Sequence, residues 1–383
     1  MINLVEDTIC SDDIQSLITW LETNPRLTKG EQTALFEQEW SAFTGVKHSV
    51  FVNSGSSANL GIISALVQSN KLKNKKVLVP AVSWSTTVAP VIQCGLTPIL
   101  VDADENNLGI CIADLQRKLN EHEPAACVLV HVLGFPCHMK EIMSLCEYHD
   151  TLVIEDSCES IGSVYNGKKT GCFGLASSFS FYFGHHMSTI EGGMICTNDD
   201  EFYDLLKSIR SHGWDRDIHP TKQKELRDKY NVDDFTALYT FYHDGFNLRS
   251  TDLQAFIGRR QLTKLSNIIS SRQRNFYHYD GMSKQEWKPR PVGEVISNFA
   301  YPIISKNKKL LVSNLKEAGV DCRPLVCGSI GKQPFWVNKY GECSLPMADR
   351  VHKYGLYVPN HPGMTLQDVE TVCNVINKTE GCD

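Results

Sequence analysis

Residues 178–193 read SFSFYFGHHMSTIEGG, and this stretch decides how the rest of the chain is interpreted. It begins as an apolar, aromatic strand pattern and continues through two adjacent histidines, His185 and His186, to a pair of glycines. An imidazole can accept and then donate a proton near neutral pH, because its unperturbed pKa is about 6.5. This run is therefore a candidate source of acid/base chemistry; neighbouring side chains need not point the same way, and we interpret His186 as structural.

Short β-rich runs alternate with helical patterns ahead of this stretch, which predicts a mostly parallel sheet covered by helices. The predicted strands are HSVFVN (48–53), KKVLVP (75–80), TPILVDAD (97–104), ACVLVHVLG (126–134), TLVIED (151–156) and SSFSFYF (177–183). The helical patterns between them cover 57–68, 85–95 and 139–150. The fold class is therefore α/β.

The ends of the chain extend this plan into two domains. Amphipathic stretches at 12–22 and 31–43 predict two N-terminal helices, and the charged, aromatic region 200–255 is interpreted as helices and loops of the same domain. Beyond residue 260, predicted helices at 261–275, 309–319 and 366–378 enclose strands at 299–305 and 320–326. We expect a large domain over 1–260 and a smaller α+β domain over 261–383.

The composition favours a small-molecule partner and excludes several other classes. The net charge of -6 arises from mixed charges without a basic run, so neither nucleic acid nor an anionic membrane is an expected partner. The N-terminus lacks a signal-peptide pattern, which predicts a cytoplasmic location. The 14 cysteines are scattered and form no C-x-x-C pair, so free thiols and no metal site are expected.

Three further segments carry candidate binding groups. The turn Asn53–Asn59 (NSGSSAN) follows a strand and opens a helix, which suits a phosphate held by Gly55 and Ser56, although a tight turn with an N-cap explains it equally simply. Asp156 ends a strand at the edge where α/β sheets bind ligands, the alternative being a helix cap or a salt bridge. Trp84 follows another strand and either covers a flat ring or packs in the core.

The run at 178–193 resembles the S-F-S-F…K-x-[IL]-T-T-x-E-G-G run of the pyridoxal-phosphate-dependent sugar-nucleotide aminotransferases of fold type I. Counting back from Glu191 places the cofactor-binding lysine of that family at position 185, where this chain has His185. The resemblance extends along nearly the whole chain. Further matching segments are SGSSA (54–58), VDAD (101–104), HVLGFP (131–136), EDSCES (155–160), RSHGW (210–214), GFNLR (245–249) and CRP (322–324).

With histidine in place of the lysine, the chain resembles the 3-dehydratases of this family, which use the cofactor without a lysine. An imidazole can move protons but cannot hold the cofactor as an imine. The resemblance implies a dehydratase that uses pyridoxal 5′-phosphate, pyridoxamine 5′-phosphate and L-glutamate to remove the C3 oxygen of a nucleotide-linked 4-keto-6-deoxyhexose, GDP-4-keto-6-deoxy-D-mannose being the expected substrate. The alternatives are an aminotransferase whose lysine is substituted at His185, and a catalytically degenerate binding or regulatory protein.

The resemblance also assigns roles residue by residue, and it implies a homodimer whose subunits share their active sites. His185 is the catalytic acid/base group, and Glu159, where most aminotransferases have glutamine, joins the site. The implied cofactor contacts are Gly55, Ser56 and Ser180 with the phosphate, Asn247 with the phosphate across the dimer, Trp84 with the ring face, and Asp156 with the pyridine nitrogen. The implied substrate contacts are His212, Arg216 and Arg323. Lys168 and Lys169 are interpreted as solvated turn residues rather than as replacement lysines.

Overall fold

The computed structural model describes residues 1–381, in which helices and strands alternate along most of the chain. The helices are α1 (Ser11–Leu21), α2 (Glu31–Thr44), α3 (Gly55–Gln68), α4 (Ser85–Gln93), α5 (Ile112–His122), α6 (Met139–Tyr148), α7 (Asp200–Arg210), α8 (Pro220–Tyr230), α9 (Asp252–Leu262), α10 (Leu265–Met282), α11 (Lys308–Glu317), α12 (Pro334–Tyr340), α13 (Pro346–Tyr354) and α14 (Leu366–Thr379). The strands are β1 (His48–Val52), β2 (Lys76–Pro80), β3 (Thr97–Val101), β4 (Ala126–Val130), β5 (Leu152–Asp156), β6 (Val164–Tyr165), β7 (Lys168–Lys169), β8 (Ala176–Ser180), β9 (Gly193–Thr197), β10 (Tyr301–Ile304), β11 (Arg323–Pro324) and β12 (Gly355–Val358).

Seven strands form the central sheet, in the order β1-β9-β8-β5-β4-β2-β3. Only β9 runs antiparallel to its neighbours, so the predicted mostly parallel sheet is confirmed. The strand patterns located the other six members, whereas β9 (GMICT) was not predicted. Strand β9 pairs with β8 so that Gly193 lies opposite Ser180. Residues 181–192, which include both histidines, therefore form the loop that connects the two strands at the carboxyl end of β8.

The second sheet lies in the C-terminal part of the chain and has the order β10-β12-β11. The N-terminal segment lies beside the residues that precede β11, since Ile2 forms an isolated parallel bridge with Val320. The predicted strand over 320–326 shortens to two residues, because only Arg323 and Pro324 pair with β12. The boundary near residue 260 remains a prediction.

An aromatic cluster supports the segment that carries the histidines. Phe181 lies 4.8 Å from Trp40 and 5.4 Å from Phe36 between ring centroids, and all three side chains are fully buried. Side chains alternate across a strand, so the phenylalanines of this run face α2 while Ser178 and Ser180 face the opposite side. Ser180 is therefore available to a ligand, whereas Ser178 is fully buried and donates a hydrogen bond to Asn59 Oδ1 at 2.6 Å. Within residues 1–381, no helix has both the length and the apolar content needed to cross a bilayer.

Candidate active site

A cavity of about 870 Å³ opens at the carboxyl ends of β4, β5 and β8, where α/β sheets bind ligands. The N-terminal segment Asn3–Val5 and β11 close its other side. Eight of the predicted site residues line it: Gly55, Ser56, Trp84, Asp156, Glu159, Ser180, His185 and Arg323. A single cavity thus collects side chains from segments far apart in sequence.

The start of α3 forms an anion cradle in this cavity. Ser54 caps the helix by accepting a hydrogen bond from the Ser57 N–H at 3.0 Å, which leaves the N–H groups of Gly55 and Ser56 without intrahelical acceptors. A Cβ on Gly55 would lie 2.6 Å from the Ser180 Cβ, so only glycine permits this approach. The free N–H groups, the helix dipole and the Ser180 hydroxyl fit a phosphate.

Asp156 ends β5 with its carboxylate held firmly at the cavity wall. One oxygen accepts hydrogen bonds from Asn59 Nδ2 at 2.8 Å and Thr87 Oγ1 at 2.7 Å, and the other accepts one from the Cys158 N–H at 3.1 Å. The residue is 4% exposed. A fixed carboxylate at this position fits a protonated pyridine nitrogen. A helix cap or a salt bridge, the two alternatives, would not require the carboxylate to face the cavity.

The preceding carboxylate, Glu155, points to the other side of the sheet, where its oxygens are occupied by hydrogen bonds. It accepts hydrogen bonds from the N–H groups of Gly171, Phe173 and Gly174 at 2.8, 2.6 and 2.8 Å. Its second oxygen also lies 3.1 Å from His131 Nε2, with both side chains fully buried. The alternation of the strand thus separates a structural carboxylate from one that faces the ligand cavity.

His185 lies at the cavity wall, half-buried, with its ring centroid 5.2 Å from that of Phe299. Its Nδ1 is buried and has no hydrogen-bond partner. Burial, assisted by the positive charge of Arg272, lowers the pKa of His185 to about 4, against an opposing effect of Asp156. The imidazole is therefore neutral at physiological pH and ready to act as a base.

A helix N-terminus suited to phosphate, a fixed carboxylate and a neutral imidazole thus lie around one cavity. Residues 8–377 match the sequence profile of the DegT/DnrJ/EryC1/StrS aminotransferase family. The chain belongs to this family. The predicted resemblance is confirmed over nearly the full chain.

Two curated DegT/DnrJ/EryC1/StrS relatives carry the same name, GDP-4-keto-6-deoxy-D-mannose 3-dehydratase. The chain is 34% identical to the protein from Yersinia pseudotuberculosis, with 99% of both chains covered. It is 36% identical to the one from Escherichia coli O55:H7, with 91% of this chain and 92% of the other covered. A crystal structure of GDP-4-keto-6-deoxymannose-3-dehydratase with a trapped PLP-glutamate geminal diamine matches with a TM-score of 0.89 at 32% identity, covering 98% of this chain and 100% of that one. The predicted fold type I architecture is confirmed.

No lysine lines the cavity in the part of this DegT/DnrJ/EryC1/StrS chain that the structure describes. Lys168 and Lys169 form the short strand β7, where their ammonium groups lie over the rings of Phe173 and Phe43, outside the cavity lining. His186 does not replace the lysine either, because it is fully buried and its Nε2 lies 3.0 Å from the Ser297 carbonyl oxygen. Across residues 1–381, no cluster of three metal-ligating side chains is present.

Glu159 lies on the cavity wall close to Asp156, and the Leu133 N–H donates a hydrogen bond to its Oε2 at 2.7 Å. Burial, with the nearby negative charge of Asp156, raises the pKa of Glu159 to about 7, although the Leu133 hydrogen bond opposes the shift. Trp84 projects into the same cavity with 56% of its surface exposed, so it has room to cover a flat ring.

Glu159→Gln should raise the melting temperature of the cofactor-free protein at pH 8 and change it little at pH 4.5. The unfolded carboxyl ionises near pH 4.5 and the folded one near pH 7, so ionisation withdraws stability as the pH rises through this window. Glutamine removes that charge and keeps an oxygen for the Leu133 N–H. Thermal unfolding at both pH values measures the difference. An equal shift at pH 4.5 and pH 8 would contradict the assigned pKa.

Three predicted site residues do not line this chain's own cavity: His212, Arg216 and Asn247. They lie in a separate cluster around Trp214, with the Arg216 guanidinium 4.0 Å from the Trp214 ring centroid and His212 5.1 Å from it between centroids. Asn247 is exposed and bridges Ser211. The predicted substrate contacts of His212 and Arg216 stay predictions, as does the role of Asn247, whose predicted phosphate belongs to a second copy of the chain.

Sequence reasoning missed the residues that hold the site groups in place. Asn59 and Thr87 fix Asp156, whereas Arg272 and Phe299 surround His185. Asn59 stands in the quoted SGSSAN turn, so its position on the first turns of α3 offered a signal. The others come from segments whose contacts with the site depend on tertiary structure alone.

Proposed function

We propose that the chain is a lyase, a 3-dehydratase that depends on pyridoxal phosphate, pyridoxamine phosphate and glutamate. It acts on a nucleotide-linked 4-keto-6-deoxyhexose, GDP-4-keto-6-deoxy-D-mannose, and yields a 3-deoxy-4-keto sugar, 2-oxoglutarate and ammonia. The observation that carries this proposal is His185, which occupies the lysine position in a cavity lined by all the other predicted cofactor contacts except Asn247. The names of the full-length relatives support the same reaction.

When bound, the cofactor supplies a carbonyl or amine that condenses with the substrate and a conjugated ring that withdraws electrons. Gly55, Ser56 and Ser180 bind its phosphate, and Asp156 holds its pyridine nitrogen. In the first half-reaction, His185 moves a proton between the α-carbon of glutamate and C4′, the carbon of the cofactor that carries its aldehyde or amine. In the second, it takes a proton at C4′ and returns one to the oxygen that leaves C3.

The electron balance closes without another redox partner. Oxidation of glutamate to 2-oxoglutarate and ammonia supplies two electrons, and replacement of the C3 hydroxyl by hydrogen consumes them. A neutral imidazole is the form needed to start each proton transfer, and the lowered pKa of His185 provides it.

The direct test incubates the holoenzyme with glutamate and a panel of nucleotide-linked 4-keto-6-deoxyhexoses. We expect glutamate-dependent release of ammonia together with loss of the C3 oxygen. Mass spectrometry of the sugar nucleotide measures the loss of oxygen. A 4-amino sugar without free ammonia would establish the aminotransferase alternative. Binding without turnover of any substrate in the panel would favour a binding or regulatory protein.

We further propose that the active unit is a homodimer in which Asn247 of one copy reaches the cofactor phosphate of the other. Asn247 accepts a hydrogen bond from Arg249 Nε at 3.0 Å through its side-chain oxygen. Because this contact occupies the side-chain oxygen, the Nδ2 group is the part of the amide that can donate to a second copy. The amide suits an anionic oxygen because a nitrogen donor to phosphate forms a charge-assisted hydrogen bond.

Asn247→Ala should lower cofactor affinity about ten- to a hundredfold, since losing a hydrogen bond to a charged acceptor costs about 1.5–3 kcal/mol. Equilibrium titration of the cofactor by absorbance measures this change. Mixing this variant with His185→Asn provides the sharper test. A mixed dimer carries one doubly defective site and one intact site, so random exchange should restore about one quarter of the parent activity.

Mass spectrometry of the mixture verifies subunit exchange, and a mixture of either variant with itself serves as the control. If mixed dimers form and turnover stays at the level of the separate variants, Asn247 does not serve the site of a second copy.

A further inference from the structure

Arg272, on α10, is 2% exposed and lies behind the histidine segment. Its Nη1 donates hydrogen bonds to the carbonyl oxygens of Phe299, at 2.8 Å, and Asn360. Its Nη2 donates one to the His185 carbonyl oxygen at 3.2 Å. The guanidinium therefore ties the backbone of His185 to two segments that precede and follow the small sheet.

The charge of this arginine has no carboxylate partner within 4.0 Å in the part of the chain that the structure describes. Burial lowers the pKa of Arg272 to about 9, so the guanidinium stays cationic at neutral pH. Its Nε is buried without a hydrogen-bond partner. A buried charge costs several kcal/mol of desolvation unless it is compensated, and here only backbone carbonyl dipoles and the Phe299 ring, 5.9 Å away, offset it. Such an arrangement is not expected from packing needs alone.

We propose that Arg272 is a positioning residue that fixes the His185 imidazole at the cavity wall through the His185 backbone carbonyl and faces the imidazole with a buried positive charge. This inference rests on the proposed acid/base function of His185. It adds a residue 87 positions away in sequence that no motif marks.

The planar fork of an arginine suits this role because several N–H groups can bind several carbonyls in a fixed geometry. The segment around Phe299, which Arg272 binds, also reaches Glu159. The Phe299 N–H donates to the Leu133 carbonyl at 2.8 Å, and the Leu133 N–H donates to Glu159. Arg272 thus connects through backbone hydrogen bonds to His185 and Glu159, two of the titratable groups of the wall.

The electrostatic consequence follows from the groups that face the imidazole. Arg272 disfavours a protonated His185, and Asp156 favours one. The remaining titratable or charged groups along the segment and the cavity wall are Cys158, Glu159, Tyr182, His186, Glu191, Asp321, Arg323 and Tyr357. The pKa of His185 lies at about 4 with all of these present.

Two substitutions separate charge from geometry. Arg272→Met removes both, and we expect the pKa of His185 to rise by about 1 and kcat to fall about 10- to 100-fold with little change in KM. Arg272→Lys keeps the charge and loses the fork, so kcat should fall while the pKa of His185 stays low. Arg274→Gln is the matched control, because Arg274 lies two residues along α10, is exposed and binds Asn275 and the Met364 carbonyl.

The pKa of His185 is read from NMR of ¹⁵N-histidine-labelled full-length protein, with His185→Asn identifying its signal, and kcat is read from the holoenzyme. If Arg272→Met folds and neither quantity differs from the parent and from Arg274→Gln, the inference is wrong. If Arg272→Met does not fold, Arg272→Lys decides: a parent-like kcat and pH profile overturn the inference. A drop in melting temperature alone in either variant also overturns it.

These outcomes are distinct from failure of the proposed function. Normal turnover of His185→Asn would refute the acid/base role, and the NMR signal would still report whether Arg272 controls the imidazole. An inactive His185→Asn with unaltered Arg272 variants would refute only the positioning role.

Discussion

His185→Asn should retain the cofactor and lose both half-reactions, each by about 10²–10⁴-fold. Asparagine preserves a polar side chain at the cavity wall but has no nitrogen that titrates, so proton transfer at C4′ and at the C3 oxygen loses its carrier. Single-turnover absorbance with glutamate measures the first half-reaction, and release of the C3 oxygen measures the second. The cofactor contacts at Gly55 and Asp156 are untouched, so binding should be near that of the parent.

His185→Lys is the companion variant, since it restores the family's usual residue. We expect a covalent cofactor–lysine adduct that borohydride fixes, together with suppressed dehydration. His186→Asn separates the two adjacent histidines, because His186 contacts the Ser297 carbonyl and does not line the cavity. Its effect should appear in the melting temperature. Turnover of His185→Asn at the parent rate would remove the central premise of the proposed function.

Asp156→Asn should weaken cofactor binding about ten- to a hundredfold and lower kcat as well. A charged hydrogen-bond partner contributes about 1.5–3 kcal/mol, and the neutral amide no longer favours a protonated pyridine nitrogen. The amide oxygen can still accept from Asn59 and Thr87, so the strand end should keep its geometry. Cofactor titration and steady-state kinetics measure the two effects.

Glu155→Gln is the matched control for Asp156→Asn, since the two carboxylates are adjacent and face opposite sides of the sheet. Its amide would present N–H groups to backbone donors from Gly171, Phe173 and Gly174, so the melting temperature should fall. Parent-like cofactor affinity in Asp156→Asn would refute the pyridine contact. A loss of affinity in Glu155→Gln as large as that in Asp156→Asn would refute the separation of roles.

The strands of the central sheet were predictable because each is a compact apolar run with a turn at its end. Strand β9 was missed because it begins at Gly193, the second glycine of the Gly192–Gly193 pair, and glycine is depleted in strands. Strand β11 was overestimated for a different reason: only Arg323 and Pro324 find a partner in β12. Pairing depends on what lies alongside a segment, which the segment itself does not encode.

The site divides in the same way. Gly55, Asp156 and His185 lie in motifs with a recognisable local chemistry, so the sequence predicts them. The supports of Asp156 and His185 do not, because Thr87 and Arg272 reach the site from 69 and 87 positions away. His212, Arg216 and Asn247 stay predictions, because the first two do not line the cavity and the predicted ligand of Asn247 belongs to a second copy of the chain.

The cavity wall without lysine makes the cofactor a freely exchanging ligand. A covalent bond would keep it in place regardless of concentration, whereas here occupancy follows mass action. Dialysis should empty the protein, and added cofactor should refill it. The folded state alone offers the complete cavity, so thermal stability should increase with the logarithm of free cofactor, by about 2.7 kcal/mol at a hundredfold excess over Kd. The supply of the vitamin-derived cofactor would then set how much of this protein is both active and protected from unfolding.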